Sequence, residues 1–89
     1  MIDEKDKKII LDMSDKYNLS KVVLFGSSLS SKGIARDIDI AIDGIADNYF
    51  FAFYGELICA LSKPVDVVDL SKKSKFNDMI LKNGLRLDA

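Results

Sequence analysis

A few residues in this chain are of types and spacings that do chemistry: Gly26-Ser27, the pair Asp37 and Asp39, Asp66, and the cations Lys32 and Arg36. Asp37 and Asp39 alternate with isoleucines in "DIDIAID". On a strand their side chains leave one face, about 6–7 Å apart along the backbone. Carboxylates held that close repel, and a divalent cation relieves the repulsion. Mg²⁺ suits such a pair, because it takes oxygen ligands, keeps waters, and combines a few carboxylates with substrate phosphates. A third carboxylate from a neighbouring strand would complete a site for two ions about 3.5–4 Å apart, a geometry used in phosphoryl transfer. Asp66 is the candidate, since an acid between Val65 and Val67 in an apolar strand needs a reason. Asp69 points to the opposite face at the strand end, where a turn role suffices. Asp43 is read as a turn residue before Gly44. The competing reading of the Asp-x-Asp pair is the wet face of an antiparallel sheet.

Gly26-Ser27 follows the buried-looking run "KVVLF". A glycine at that point lets a phosphate approach the backbone, and free N–H groups at a helix start favour anions. The Ser27 hydroxyl can bond the same oxygens. A Walker-type loop is excluded, because it needs Gly before and Ser or Thr after its Lys, whereas Ser31 precedes Lys32 and Gly33 follows it. Lys32 and Arg36 read equally as phosphate-neutralising groups and as two exposed cations in a polar loop.

The elements that must position these groups follow from hydrophobic period. Ile9, Ile10, Met13 and Tyr17 predict a helix from about Asp3 to Tyr17, ended by Asn18. "KVVLF" predicts a strand, "SSLSSKG" a turn or one short helix stopped by Gly33, and "DIDIAID" a second strand. Phe50, Phe53, Tyr54, Leu57 and Leu61 form the stripe of a helix over 47–62, widened by Phe51 and Ile58. "VDVVDL" is a third strand, and "KFNDMILKNG" a last helix with Phe76, Met79 and Ile80 inward and Asn83-Gly84 as its stop. "LRL" adds a brief final strand. The expectation is one α+β domain over residues 1–89: a two-layer arrangement with a small mixed sheet of three to four strands flanked by helices.

Composition narrows the chemistry. The chain has 89 residues, one cysteine (Cys59) and no histidine. That excludes an internal disulfide, a Cys/His zinc site and histidine acid–base catalysis. The net charge of −1 gives no long-range attraction for nucleic acid or anionic membrane. The charged start "MIDEKDKKII" does not read as a signal peptide and no apolar run has membrane-spanning length, so a cytoplasmic protein is expected. "SKKSK" over 71–75 reads as a solvated basic loop.

"FGSS", "ARDIDIAID" and "PVDVVDL" together resemble the DNA polymerase β-like nucleotidyltransferases, and within them the minimal nucleotidyltransferases that act as antitoxins of HEPN-domain toxins. The resemblance covers about residues 20–87 and includes the closing "ILKNGLRL". It implies Gly26 and Ser27 as triphosphate contacts, Asp37 and Asp39 as metal ligands, and Asp66 as the third carboxylate, assisting deprotonation of the attacking hydroxyl. It implies Mg²⁺, in two ions, with ATP as substrate. AMP would pass to a protein hydroxyl, a tyrosine of a HEPN ribonuclease, which silences it. Where the family has arginine soon after Gly-Ser, this chain has Ser28-Leu29-Ser30, and the loop to Asp37 is about one residue short.

Two further readings stand beside this one. A module that neutralises a toxin by occlusion fits the missing arginine. A nucleotidyltransferase acting on a small molecule would need a second domain for its acceptor. Opposite the aromatic stripe of helix 47–62 lie Ala52, Gly55, Cys59 and Ser62, small where a solvent face carries Lys and Glu. That face is expected to pack against a partner or a second copy of the chain, to be buried within the domain, or to be a featureless surface.

Overall fold

The computed structural model describes residues 2–26 and 36–88. Acidic residues at its start and Lys16 at its end suit the dipole of α1 (Glu4–Lys16). The helix closes where Asn18 turns left-handed at φ 61° and Leu19 N–H donates back to Ser14 O. Four strands follow the expected runs: β1 (Lys21–Phe25), β2 (Ile38–Asp43), β3 (Val65–Asp69) and β4 (Leu85–Arg86). A 3-10 turn over Asp47–Tyr49 leads into α2 (Phe50–Ala60), and α3 (Lys75–Asn83) precedes β4. The turn or short helix expected over 27–33 lies outside the described residues.

The sheet runs in the order β3-β2-β1-β4. β1 pairs antiparallel with β2 and with β4, whereas β2 and β3 are parallel, joined by the crossover through α2. Ile38 N–H donates to Pro64 O at 2.8 Å and aligns the starts of β2 and β3. On one face Val22, Leu24, Ile38, Ile40, Ile42 and Val65 pack with Ile10 of α1 and with Phe53 and Leu57 of α2. On the other, Val23 and Ala41 pack with Leu70 and with Ile80 of α3. The mixed α+β sheet is as the pattern predicts, with helices on both of its faces. Among the described residues no helix is long and apolar enough to cross a membrane.

Two helix faces differ from expectation. Phe51 and Ile58 widen no core stripe: they are 83 % and 60 % exposed, and the inward arc of α2 is limited to Phe53, Leu57 and Leu61 with Phe50 and Tyr54 at its margins. In α3, Ile80 is buried but Phe76 and Met79 are half-exposed. The inward place goes to Asn77, whose amide donates to Lys72 O at 2.6 Å and Asp69 O at 3.2 Å. A polar side chain can take a core position once its hydrogen bonds are made. Gly84 ends α3 in extended conformation rather than left-handed. Its need is close approach: a Cβ there would lie 2.3 Å from Val23 Cγ1 and 2.6 Å from Ile80 O.

Candidate active site

The first constraint comes from the end of β1. Gly26 has φ +64°, a conformation that costs other residues about 1–2 kcal/mol. A Cβ at position 26 would lie 2.5 Å from Asp39 Oδ2, so a larger residue fits only if that carboxylate moves. The expected glycine is therefore required twice, and the space it leaves is filled by the Asp39 carboxylate.

The second constraint is register. Asp39 is the Cα partner of Phe25 across the antiparallel pair and of Asp66 across the parallel pair. Residues in register on neighbouring strands share a face about 4.8 Å apart, so Asp39 and Asp66 stand side by side. Val65, immediately before, is buried on the opposite face, which turns Asp66 outward on this one. The alternating pattern of β2 does the same for Asp39, since Ile38 and Ile40 are fully buried beneath it.

Asp37 lies in the bend before β2 and is exposed, as is Arg36. Among the described residues neither Asp37 nor Asp66 pairs with a lysine or arginine; the ion pairs there are Lys16–Glu56 and Arg86–Asp88. Nor do any three acid, histidine or cysteine side chains among the described residues form a group that could hold a metal. The expected convergence is thus seen in the register of Asp39 with Asp66, and not as a closed cluster of three. The physical reason is that Asp37 falls in the bend before β2 and not on the strand expected for it, so the strand face it was to share with Asp39 does not include it. The Tyr54 hydroxyl bonds Val65 O at 3.1 Å and lies 3.5 Å from Asp66 Oδ1, on the side away from β2. Helical spacing predicts Tyr54 for the core stripe only. Its proximity to an acid twelve residues further along the chain leaves no local signal.

Asp69 takes the turn role expected of it, its Oδ1 accepting from Ser71 N–H at 2.9 Å. Ser27 and Lys32 lie outside the described residues. The donor set that is described suits a hard cation. Two adjacent carboxylates offer oxygen alone, and Mg²⁺ needs only one or two of them when phosphates and water supply the rest.

Comparison with known proteins follows from this geometry. The family model described as polymerase beta, nucleotidyltransferase matches residues 7–87. Among curated proteins, none matches the chain. Among solved structures, a toxin–antitoxin with AMP-PNP is 26 % identical with a TM-score of 0.72, covering 91 % of this chain and 71 % of that one. A structure of tri-AMPylated Shewanella oneidensis HEPN toxin in complex with MNT antitoxin is 25 % identical with a TM-score of 0.70, covering 92 % and 68 %. The toxin–antitoxin MntA-HepT is 23 % identical with a TM-score of 0.71, covering 96 % and 71 %, a likeness of fold.

Proposed function

Because the chain belongs to the polymerase β nucleotidyltransferase family, we propose that it transfers AMP from ATP to a hydroxyl of a HEPN toxin and so acts as an antitoxin. The observation that carries the reading is the in-register pair Asp39–Asp66 beside a glycine whose left-handed backbone and contact with Asp39 make replacement costly. The similar structures with AMP-PNP and with a tri-AMPylated HEPN toxin support the donor and the acceptor class.

Asp39 and Asp66, with Asp37 at the entrance, would hold Mg²⁺. When bound, that ion supplies Lewis-acid activation and charge neutralisation. The backbone at Gly26, with Ser27, takes the triphosphate, and Lys32 and Arg36 offset its charge. The acceptor oxygen attacks the α-phosphorus in line, its O–P bond forming as the bond to the bridging oxygen of the β-phosphate breaks. The hydroxyl proton passes to Asp66 and pyrophosphate departs with the bridging electrons.

The partner surface of this reading is the outer face of α2. Phe51 and Ile58 stand exposed there around Gly55, and a Cβ at Gly55 would meet nothing within 4 Å. The same face favours the second reading, in which the chain silences its toxin by covering it, as does the open arrangement of the three acids.

The test is incubation with ATP, Mg²⁺ and a HEPN partner, with the partner's mass as readout. Addition of AMP by the wild-type chain and none by Asp39→Asn is the expected result. Asp39→Asn with full transfer would refute the assignment, and neutralisation without any mass change would establish occlusion.

A further inference from the structure

An apolar slot opens on the same face of the sheet as the two acids, and it borders them through Gly26. Its volume is about 270 Å³, and Phe25, Phe76, Met79, Ile80 and Asn83 line it together with Gly26. Pockets for whole ligands run about 300–1,000 Å³ and are mostly apolar with a few placed polar groups. This one has the size for a single ring system, with Asn83 as the one polar side chain among the described residues lining it. Phe76 and Met79 are half-exposed here although their helix could have buried them. Phe76 is held edge-on against Phe25, with centroids 6.1 Å apart.

Resting on the nucleotidyl-transfer reading above, we infer that this slot takes the nucleobase of the donor nucleotide, with Asn83 reading its polar edge. Continuity argues for that occupant. The residue that leaves room for Asp39 also forms the rim of the slot, so a nucleotide whose phosphates meet Asp39 and Gly26 has its base beside an apolar wall. Flat π-faces stack on aromatic and thioether side chains. Asn83 adds selection. A carboxamide offers one acceptor and one donor, which match adenine N6–H and N7, whereas guanine presents two acceptors at the same edge.

The test is calorimetric titration of the full chain with ATP and with GTP, each with Mg²⁺ and without a protein acceptor. Base stacking and bidentate base contacts are each worth on the order of 5- to 150-fold in affinity. Phe76→Ala is expected to weaken both nucleotides by a factor in that range, and Asn83→Ala to erase a preference for ATP over GTP. Both side chains are exposed enough for the fold to survive their loss. Independently, the methyl signals of Met79 and Ile80 in the wild-type chain should shift on adding ATP. If Asp39→Asn weakens ATP while the two slot variants bind as wild type and the methyl signals stand still, the slot assignment fails and the transfer reading survives. If slot variants change only the KM for the acceptor protein, the slot belongs to the acceptor and the inference is overturned. If the wild-type chain binds neither nucleotide, both readings fall.

Discussion

Replacing Gly26 by alanine tests the geometry on which the site depends. Two costs can be worked out. The left-handed backbone at φ +64° costs an alanine about 1–2 kcal/mol. The new Cβ would also lie 2.5 Å from Asp39 Oδ2, forcing that carboxylate out of its rotamer for about 0.5–1.5 kcal/mol more. The sum, about 1.5–3.5 kcal/mol, corresponds in a domain of this size to a melting temperature lower by roughly 6–28 °C. The second cost can be isolated, because it needs the carboxylate. In a double-mutant cycle, Asp39→Ala made on the Gly26→Ala background should restore about 0.5–1.5 kcal/mol that it does not restore on the wild type. Thermal unfolding by circular dichroism gives all four corners, and AMP transfer by the single variant should fall with the displaced carboxylate. A Gly26→Ala chain that melts and transfers as the wild type does would refute the reasoning, and an additive cycle would refute the contact with Asp39.

Three other outcomes are expected. Asp6 is buried and accepts from Ser62 N–H at 3.1 Å and Ser62 Oγ–H at 2.6 Å, tying α1 to the end of α2. Asp6→Ala should cost about 1–3 kcal/mol in urea unfolding, by leaving the Ser62 donors without their acceptor. Phe51→Glu with Ile58→Lys should leave the free chain's melting temperature near that of the wild type but weaken binding to the proposed HEPN partner by about 2 kcal/mol or more, read by calorimetry. The Arg86 guanidinium, with help from Val22 N–H, holds the Asp88 carboxyl below the usual range. Its stabilisation is full above the unfolded carboxyl's pKa and disappears as pH falls through the lower folded value. Denaturation at pH 7 and pH 3 should therefore show an acid-linked loss that Asp88→Asn reduces, by well under 1 kcal/mol for so exposed a pair.

The strands were legible because each is a short β-branched run with one period; β1 has the expected bounds, whereas β2 starts one residue late, leaving Asp37 in a bend, and β3 and β4 each end one residue early. The Asp39–Asp66 register was inferable from the Asp-x-Asp pattern and the isolated acid in β3, although pairing across 27 positions has no local cause. It depends on Pro64 O meeting Ile38 N–H. What the sequence hides is which edge of an apolar arc meets the core. Phe51, Ile58, Phe76 and Met79 satisfy helical spacing as well as Phe53 and Ile80 do, and only the position of the neighbouring sheet separates them. Asn77 and Asp6 were hidden for the opposite reason. Each sits in a polar run, and burial follows from acceptors or donors in segments far from it.

The parallel pairing of β2 with β3 sets an order of assembly. β1 and β2 are an antiparallel pair of neighbours in sequence, but Asp66 meets Asp39 only through the crossover by α2 that brings β3 parallel to β2. A chain emerging from the ribosome therefore holds half of its acid pair until residue 69 is free to pair. The neighbourhood of the two carboxylates therefore exists only where residues 65–69 are paired with β2.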